Sequence, residues 1–538
     1  MNTETLSIEN RFARIRPARC WLYRVLAVLL SLAPLLVAEA VCRWVGWGKP
    51  VDVADPFVGF DAVRPLFTQD AAGQFYETAP DRRVHFRRDQ FAVHKPANEF
   101  RVFCLGGSTV QGNPYGIETA FSTWLELTLT AADPTRSYRV VNCGGISYAS
   151  YRLAPIFKEL LTYQPDLLIL YTGHNEFLED RTYHHVKWKA RWLGRVYEWA
   201  TYSRFFNACH ACVQAWRSGA TPSTNGFQGR YQPPVAAGSQ SGVTQAAGLD
   251  ESRKAESAKS AESGSSLERT QLPIEVDAWL DHYGGLDAYR RDPHWRAGVT
   301  DHFEWNLRRM VNWAVDAKVR LILVNPVGNL KDCPPFKFAP GDLSAADAAR
   351  FEQLWTTAQT TEQVADRLTL LEEAVAIDPQ HAAAQYLLGQ TYLANGQPAE
   401  AREALLRAKE EDLCPLRMIE PLYERLQRVA RETNTPLVDV RARFEQLSPD
   451  RLIGEPWLVD HVHPSISGHQ QIAAALFEQL RTQGMVRATN GWEARRDVLY
   501  QEQLASLTTA YYARGKEHLQ GLLRWSQGRS GNPPPAEP

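Results

Sequence analysis

A serine follows a short apolar segment at a point where the chain has to turn. Ser108 stands in the sequence Gly106-Gly107-Ser108-Thr109, directly after the apolar run 101–105. A serine at a strand-to-loop turn can be lifted from the backbone so that its hydroxyl faces a substrate. That hydroxyl becomes a useful nucleophile only when a base takes its proton and fixed donors hold the resulting oxyanion.

A base and a carboxylate occur together far downstream. Asp460 and His463 lie three positions apart in the sequence Asp-His-Val-His-Pro at 460–464, which also contains His461. An imidazole can accept the serine proton, and a carboxylate of the same loop can orient that imidazole. No further ligand-type residues cluster beside these three in the sequence, which therefore predicts neither a metal nor another cofactor.

Four sequence blocks resemble those of the SGNH, or GDSL-type, hydrolases. The first is 106–112, with Gly107 in place of the usual Asp, and the fourth is the pair Asp460 and His463. The third is Gly-His-Asn-Glu at 173–176, which matches Gly-x-Asn-Asp with a glutamate at the last position. The second, at 142–147, has the spacing Asn-x-x-x-x-Gly but ends in serine. Their order along the chain is that of the family.

The resemblance implies catalytic roles for three of these residues. Ser108 would be the nucleophile, His463 the general base and Asp460 the carboxylate that orients the imidazole. The histidine of the family stands three positions after the aspartate, so His461 is interpreted as a loop residue.

The resemblance also implies an oxyanion hole. Its donors would be the backbone N–H groups of Ser108 and Ser147 and the side-chain amide of Asn175. The family uses the second of these positions through its backbone N–H, which serine also has. Gly145 remains the alternative donor if Ser147 does not serve. The neighbours of Asn175 stay undefined, because Glu176 replaces the usual Asp.

The sequence places a five-stranded sheet behind these motifs. The predicted strands are short apolar runs, at 101–105, 138–142, 166–171, 319–324 and 436–440. Long or helical connections separate most of them, which is typical of a parallel sheet with helices on both faces. We therefore predict a three-layer α/β/α sandwich with a mostly parallel sheet, of the flavodoxin-like SGNH type. Sites in such sheets lie beyond the carboxyl ends of the strands.

The N-terminus resembles a targeting segment. Five arginines between positions 11 and 24 precede the uncharged run 25–38. This run covers about 21 Å as a helix, but the segment 21–47 reaches the about 30 Å needed to span a bilayer. We predict a single-pass signal anchor that leaves the rest of the chain on the extracytoplasmic, periplasmic side. A cleaved signal peptide ending at 38–40 (Ala-Glu-Ala) is the alternative, and it exports the chain equally.

Two insertions interrupt the predicted hydrolase core. The segment 181–216 is rich in Trp and basic residues at helical spacing, which fits either a packed amphipathic helix or an interfacial lid. The following residues, to 272, have almost no apolar content and are predicted to be disordered. The second insertion resembles about one and a half tetratricopeptide repeats, through Leu371, Ala374, Leu388, Gly389, Tyr392, Ala401, Leu405 and Ala408. It could dock a protein partner or serve as a structural hairpin.

These boundaries divide the chain into seven segments. They are an anchor (1–48), a first core part with the Trp-rich insertion (49–216), a disordered linker (217–272), a second core part (273–345), the repeat (346–415), a third core part with the Asp-x-x-His loop (416–485) and a helical C-terminal extension (486–538).

The combined features predict a membrane-anchored serine ester hydrolase. The expected substrate is an ester, and exported relatives favour an acetyl group on a glycan. A net charge of −2 gives no case for a nucleic-acid partner. Hydrolysis and acyl transfer share one acyl-enzyme and stay open, as does a lipid-directed esterase. A scaffold that docks envelope proteins and keeps a vestigial site is an alternative from a different class.

Overall fold

A computed structural model describes most of the chain. The described residues are 17–45, 47, 59–60, 64–179, 271–272, 278–282 and 284–527, with a few positions between 203 and 212. The Trp-rich insertion (181–216) and the predicted disordered linker (217–272) lie almost wholly outside them. The chain divides into two compact units, Met1–Gly59 with His185–Thr270 and Phe60–His184 with Gln271–Pro538.

The described elements are numbered along the chain. The strands are β1 (Gly59–Phe60), β2 (Phe67–Gln69), β3 (Phe75–Thr78), β4 (Gln90–Ala92), β5 (Glu99–Gly106), β6 (Ser137–Gly144), β7 (Leu167–Tyr171), β8 (Gln271–Leu272), β9 (Arg320–Asn325) and β10 (Leu437–Asp439). The helices are α1 (Pro17–Val45), α2 (Ser108–Gln111), α3 (Phe121–Ala132), α4 (Ser150–Leu160), α5 (Pro293–Ala317), α6 (Ala345–Thr360), α7 (Val364–Ile377), α8 (Ala382–Ala394), α9 (Pro398–Glu410), α10 (Glu420–Glu432), α11 (Val440–Leu447), α12 (Ile466–Thr482), α13 (Trp492–Ala505) and α14 (Thr509–Ser526).

Helix α1 of the first unit coincides with the predicted anchor. Arg43 Nε donates a hydrogen bond to Glu39 Oε1 at 2.7 Å, one turn earlier. In the described part of the chain, no helix is both long enough and apolar enough to cross a membrane. The side chains of 17–29, which include part of the apolar run, lie outside that part. The anchor therefore stays a prediction.

The second unit is built on a five-stranded sheet in the order β10-β9-β7-β5-β6, and every pairing is parallel. Each strand coincides with a predicted apolar run. Strand β7 is buried along its whole length, as expected for a parallel sheet that is covered on both faces. The α/β prediction with five strands is thus confirmed, and the sheet is fully parallel rather than mostly parallel.

Helices cover both faces of this sheet. On one face, Val102, Ile169 and Ile322 share an apolar cluster with residues of α3 and α12. The alternate residues of the strands are also buried, and α4, α5 and α10 pack on that face. A small antiparallel sheet, β2-β3-β4, precedes the core. Its Phe91 ring lies 5.1 Å from that of Phe103 on β5.

The repeat insertion forms two helical hairpins, α6–α7 and α8–α9. A Cβ atom at Gly389 would lie 2.6 Å from Leu405 Cγ, so glycine is what allows α8 and α9 to approach this closely. The predicted one and a half repeats correspond to α7–α9, and α6 packs on α7 to complete the first hairpin. Helix α6 has few buried apolar residues, among them Phe351 and Leu354, and they do not stand out as a repeat pattern.

The repeat packs on the hydrolase core. Tyr386 and Gln390 of α8 both donate hydrogen bonds to the carbonyl of Lys331, at 3.1 and 2.6 Å. Lys331 belongs to the loop that follows β9. The two hairpins are thereby supported from outside, as so short an array requires.

Candidate active site

Ser108 lies at the carboxyl end of β5, at the first position of the short helix α2. Its side chain is half-buried. At the preceding position, a Cβ atom would lie 2.5 Å from the side-chain nitrogen of Asn175. Glycine at 107 therefore lets the Asn175 amide come close to the backbone that carries the serine.

The loop that bears the base reaches this serine. Nε2 of His463 lies 2.7 Å from Oγ of Ser108, and Nδ1 lies 2.6 Å from Oδ2 of Asp460. The loop is narrow, because Leu458 pairs with Pro464 and the N–H of Val459 donates to the carbonyl of His463. This closure brings the two ends of Asp-x-x-His together. The three predicted catalytic residues thus form one hydrogen-bonded chain.

Asp460 is held as a carboxylate. Burial raises the pKa of Asp460, but the neighbouring imidazoles of His463 and His461 and the hydrogen bonds from the loop outweigh burial and hold it well below its usual range. Its Oδ1 accepts from the backbone N–H groups of Val462 and His463, at 2.9 and 2.8 Å. An ionised Asp460 accepts a hydrogen bond from the N–H at Nδ1 of His463, which leaves Nε2 unprotonated and able to accept from Ser108.

The loop after β6 presents one free donor. The N–H of Gly145 donates to the carbonyl of Gly106 at 2.9 Å, and that of Ile146 donates to the carbonyl of His85 at 2.9 Å. The N–H of Ser147 has no such bond to any described residue, and Ser147 lines a cavity that Ser108 also lines. These bonds favour Ser147 over Gly145 as the oxyanion donor.

Ser147 adopts the left-handed conformation, with φ of 61°. Such a conformation costs an ordinary L-residue about 1–2 kcal/mol, whereas glycine adopts it freely. Glycine would therefore be the least strained residue at this turn. Serine adopts the conformation at this cost and presents the same backbone N–H as glycine would.

Asn175 follows β7, and its side chain is fixed by a neighbour. Its Nδ2 donates to the carbonyl of Tyr148 at 3.1 Å. An amide has two N–H hydrogens, so one remains for a ligand. The adjacent Glu176 is fully buried and accepts from the N–H and the hydroxyl of Ser150, at 2.8 and 2.9 Å. Glu176 thus ties the Asn175 loop to the start of α4.

His461 lies beside the hydrogen-bonded series formed by Ser108, His463 and Asp460, but it is not part of that series. Its Nδ1 is 3.6 Å from Asp460 Oδ1, and its ring meets the Phe336 ring edge-on at 5.3 Å. Burial lowers the pKa of His461 to about 4, so it is neutral near pH 7.

Together with Asp460 and His463, His461 places three ligand-type atoms within 4.8 Å of one another, a spacing that could hold a metal ion. Both ring nitrogens of His463 are already engaged, by Asp460 and Ser108.

Two residues beyond the motifs hold the catalytic loop in place. Asn329, after β9, donates to the carbonyls of His461 and Asp460 at 2.8 and 3.1 Å. The buried Arg417 donates to the carbonyls of Asn329 and Cys333 at 2.9 and 2.7 Å. Arg417 comes seven positions after α9, and so the chain leaving the repeat buttresses the active site. No local pattern marked either residue.

A cavity of about 310 Å³ opens beside the catalytic chain. Ser108, Asn175 and His463 line it, as do Leu178, Leu416 and part of the C-terminal helix α14. The sequence predicted α14 only as part of a helical extension. Its contribution to the cleft is a functional feature that sequence reasoning missed.

The tetratricopeptide repeat family model matches residues 363–413. The repeat prediction is confirmed. Among curated proteins, no sequence matches the chain.

Similar solved structures include GDSL-type and other esterases. An acetylxylan esterase from Geobacillus stearothermophilus is 12% identical, with 71% of this chain and 93% of that chain covered and a TM-score of 0.28. The lipase/acylhydrolase from Enterococcus faecalis is 10% identical, with 73% and 99% covered and a TM-score of 0.29. A protein from Desulfitobacterium hafniense, assigned to the G-D-S-L lipolytic family, is 11% identical, with 71% and 99% covered and a TM-score of 0.28.

Proposed function

We propose that this chain is a serine ester hydrolase of the SGNH type that removes or transfers a small acyl group. The observation that carries the proposal is the continuous hydrogen-bonded chain from Ser108 through His463 to Asp460. Two of its members come from a loop more than 300 positions away from the serine. A buried carboxylate, an imidazole and a hydroxyl in this order are the arrangement that activates a serine.

The proposed reaction runs through an acyl-enzyme. Oγ of Ser108 bonds to the carbonyl carbon of the ester while its proton passes to Nε2 of His463. The C=O π electrons move to the carbonyl oxygen, which becomes an oxyanion near the N–H groups of Ser108 and Ser147 and the Asn175 amide. The intermediate then collapses, the bond to the alcohol oxygen breaks, and His463 returns the proton to that oxygen. Fixed donors need no reorganisation during these steps.

The second half of the reaction repeats the first with a new acceptor. Water or a sugar hydroxyl gives its proton to His463, and its oxygen bonds to the acyl carbon. Collapse restores the Ser108 hydroxyl and releases either an acid or a new ester. We propose acetyl carried by a glycan as the substrate, with hydrolysis as the main outcome.

Labelling with a fluorophosphonate probe tests the nucleophile directly. The probe phosphonylates an activated serine and displaces fluoride, so we expect labelling at Ser108 that is lost in Ser108→Ala and strongly reduced in His463→Ala. A panel of acetylated glycans and simple acetate esters then tests the substrate class. Absence of labelling in the folded wild-type protein would favour the scaffold with a vestigial site.

The location and the partner are separate parts of the proposal. The arginines before the apolar run of the N-terminal segment support an anchored chain with its catalytic unit on the periplasmic side. Protease added to intact spheroplasts should then digest the catalytic unit. The tetratricopeptide match over residues 363–413, which covers α7–α9, supports a protein partner at the repeat insertion. Deletion of those helices would also disturb Arg417, which lies seven positions after α9 and supports the catalytic loop.

A further inference from the structure

The cleft beside Ser108 is lined in part by an element outside the catalytic motifs. Helix α14 contributes His518, Gly521, Leu522 and Trp525 to the wall of the about 310 Å³ cavity. These residues belong to the last turns of the helix, close to the C-terminal end of the described chain. A substrate bound at Ser108 would therefore have α14 as a neighbour.

Helix α14 is fixed on the core at its N-terminal half. The hydroxyls of Tyr511 and Thr119 are 2.7 Å apart and buried. A Cβ atom at Gly515 would lie 2.2 Å from the ring of Tyr115, so glycine is required for this close approach. Both partners belong to the segment that connects α2 to α3, directly after the nucleophile.

The C-terminal half of α14 is fixed by a further hydrogen bond. Nε1 of Trp525 donates to Oδ1 of Asp281 at 2.8 Å. Asp281 is itself held, because its Oδ2 accepts from the N–H of Ala278 at 2.8 Å. With both halves attached, the helix is a defined wall rather than a loose end.

The side chains that α14 turns toward the cleft are mainly apolar. Leu522 and the Trp525 ring share the cavity lining with Leu178, Leu416 and Ile146. Apolar walls favour binding of the carbon part of a substrate by about fourfold for each CH2 group that they cover. Bulky side chains in one wall of the cavity also limit how many such groups fit beside them.

We propose that Leu522 and Trp525 are specificity-determining residues that set the size of the acyl group accepted at Ser108. This inference rests on the proposed esterase function, and it assigns the substrate selection of that site to the C-terminal helix. The Trp525–Asp281 bond holds the wall at its distance from the nucleophile. Neither residue takes part in the bond-making steps.

The test compares chain-length profiles of the full-length protein. kcat/KM is measured on p-nitrophenyl esters from acetate to decanoate. Leu522→Ala and Trp525→Ala widen the cleft, so the ratio of octanoate to acetate kcat/KM should rise about tenfold or more, since a methylene-sized change in a pocket is worth about 10–200-fold. Leu522→Trp should lower the same ratio. Trp525→Phe keeps a ring but loses the bond to Asp281, and should give a smaller rise.

Leu523→Ala is the matched control, because Leu523 is the next residue of α14 and is exposed. Its profile should equal that of the wild type. If Leu522→Ala, Leu522→Trp and Trp525→Phe all keep the wild-type profile, the inference is overturned even if Trp525→Ala fails to fold. If the wild type is neither labelled by the fluorophosphonate nor active on any ester, the proposed function itself fails, which is a different result.

Discussion

The imidazole of His463 lies 2.7 Å from the Ser108 hydroxyl, although 355 positions separate the two residues. The contact is reinforced next to it, where Thr109 Oγ1 donates to the carbonyl of Val462 at 3.4 Å. Helix α2 and the catalytic loop are thus joined at adjacent positions. The pairing is a consequence of how β5 and the loop before α12 meet at one end of the sheet.

The first prediction concerns the catalytic chain. Ser108→Ala and His463→Ala should each lower kcat on p-nitrophenyl acetate by about 10⁶-fold, as in other enzymes whose triad acts as a unit. Asp460→Asn should cost about 10⁴-fold, because the amide favours the wrong tautomer of the imidazole. Circular dichroism serves as the folding control. Near-normal turnover in folded Ser108→Ala would remove the mechanism.

The second prediction concerns the amide donor. Asn175→Ala should lower kcat by about 10²–10³-fold with KM little changed, since an oxyanion donor acts mainly in the transition state. Asn175→Asp should lose more, because a carboxylate offers no donor and repels the oxyanion. Steady-state kinetics on acetate esters measures both. Equal activity of the Asp and Ala variants would argue against an oxyanion near this side chain.

The third prediction separates the backbone of Ser147 from its side chain. Ser147→Gly and Ser147→Ala should keep kcat within about threefold, because the proposed donor is the N–H. Ser147→Gly should unfold at equal or higher denaturant concentration, while Ser147→Val should lose about 1–3 kcal/mol at the left-handed φ. Urea denaturation measures the free energies of unfolding of the wild type and the variants. A large loss of kcat in Ser147→Ala would instead assign a role to the hydroxyl.

The fourth prediction concerns the support of the catalytic loop. Asn329→Ala leaves the buried carbonyl of Asp460 without its 3.1 Å donor, at a cost of about 1–3 kcal/mol. We expect kcat to fall about tenfold with little change in KM, and fluorophosphonate labelling to slow in parallel. Asn329→Asp keeps the side-chain oxygen that accepts from the N–H of Asp332 at 2.8 Å and loses the N–H donor to Asp460, so it should behave similarly. A loss of stability with unchanged kcat would limit Asn329 to a structural role.

The fifth prediction uses the buried His469, whose Nδ1 accepts from the N–H of Phe121 at 3.2 Å. Burial, and then His463, lowers the pKa of His469 to about 3, below the unfolded value of about 6.5. As the pH falls, the His469 imidazole therefore becomes protonated in the unfolded state at a higher pH than in the folded state. The contribution of His469 to stability is complete above about pH 6.5 and is lost as the pH falls toward 3.

His469→Asn can accept the same bond without titrating. Between pH 7 and pH 5 the wild type should lose about 2 kcal/mol more of its free energy of unfolding than this variant does. Urea midpoints at several pH values measure the difference. Burial raises the pKa of Asp412 to about 6, so this residue changes the free energy of unfolding with pH in the opposite direction. Because Asp412 is present in both proteins, its effect cancels in the comparison. Parallel curves would show that His469 is not buried in its neutral form.

Much of the core was readable from local sequence. The five strands were predicted because strands buried on both faces are continuous apolar runs, as in β7. The residues Ser108, Asn175, Asp460 and His463 were found because each lies in a short motif of fixed spacing. The second hairpin of the repeat was found for the same reason.

Tertiary structure decided which of these groups are usable. The choice between Gly145 and Ser147 depends on the carbonyls of Gly106 and His85, which occupy the other N–H groups of the turn. The support by Arg417 and the cleft wall formed by Trp525 join segments that are remote in the chain. Motifs and periodicity report neighbours along the chain and one face of an element. Which remote element covers that face is set only when the whole core packs.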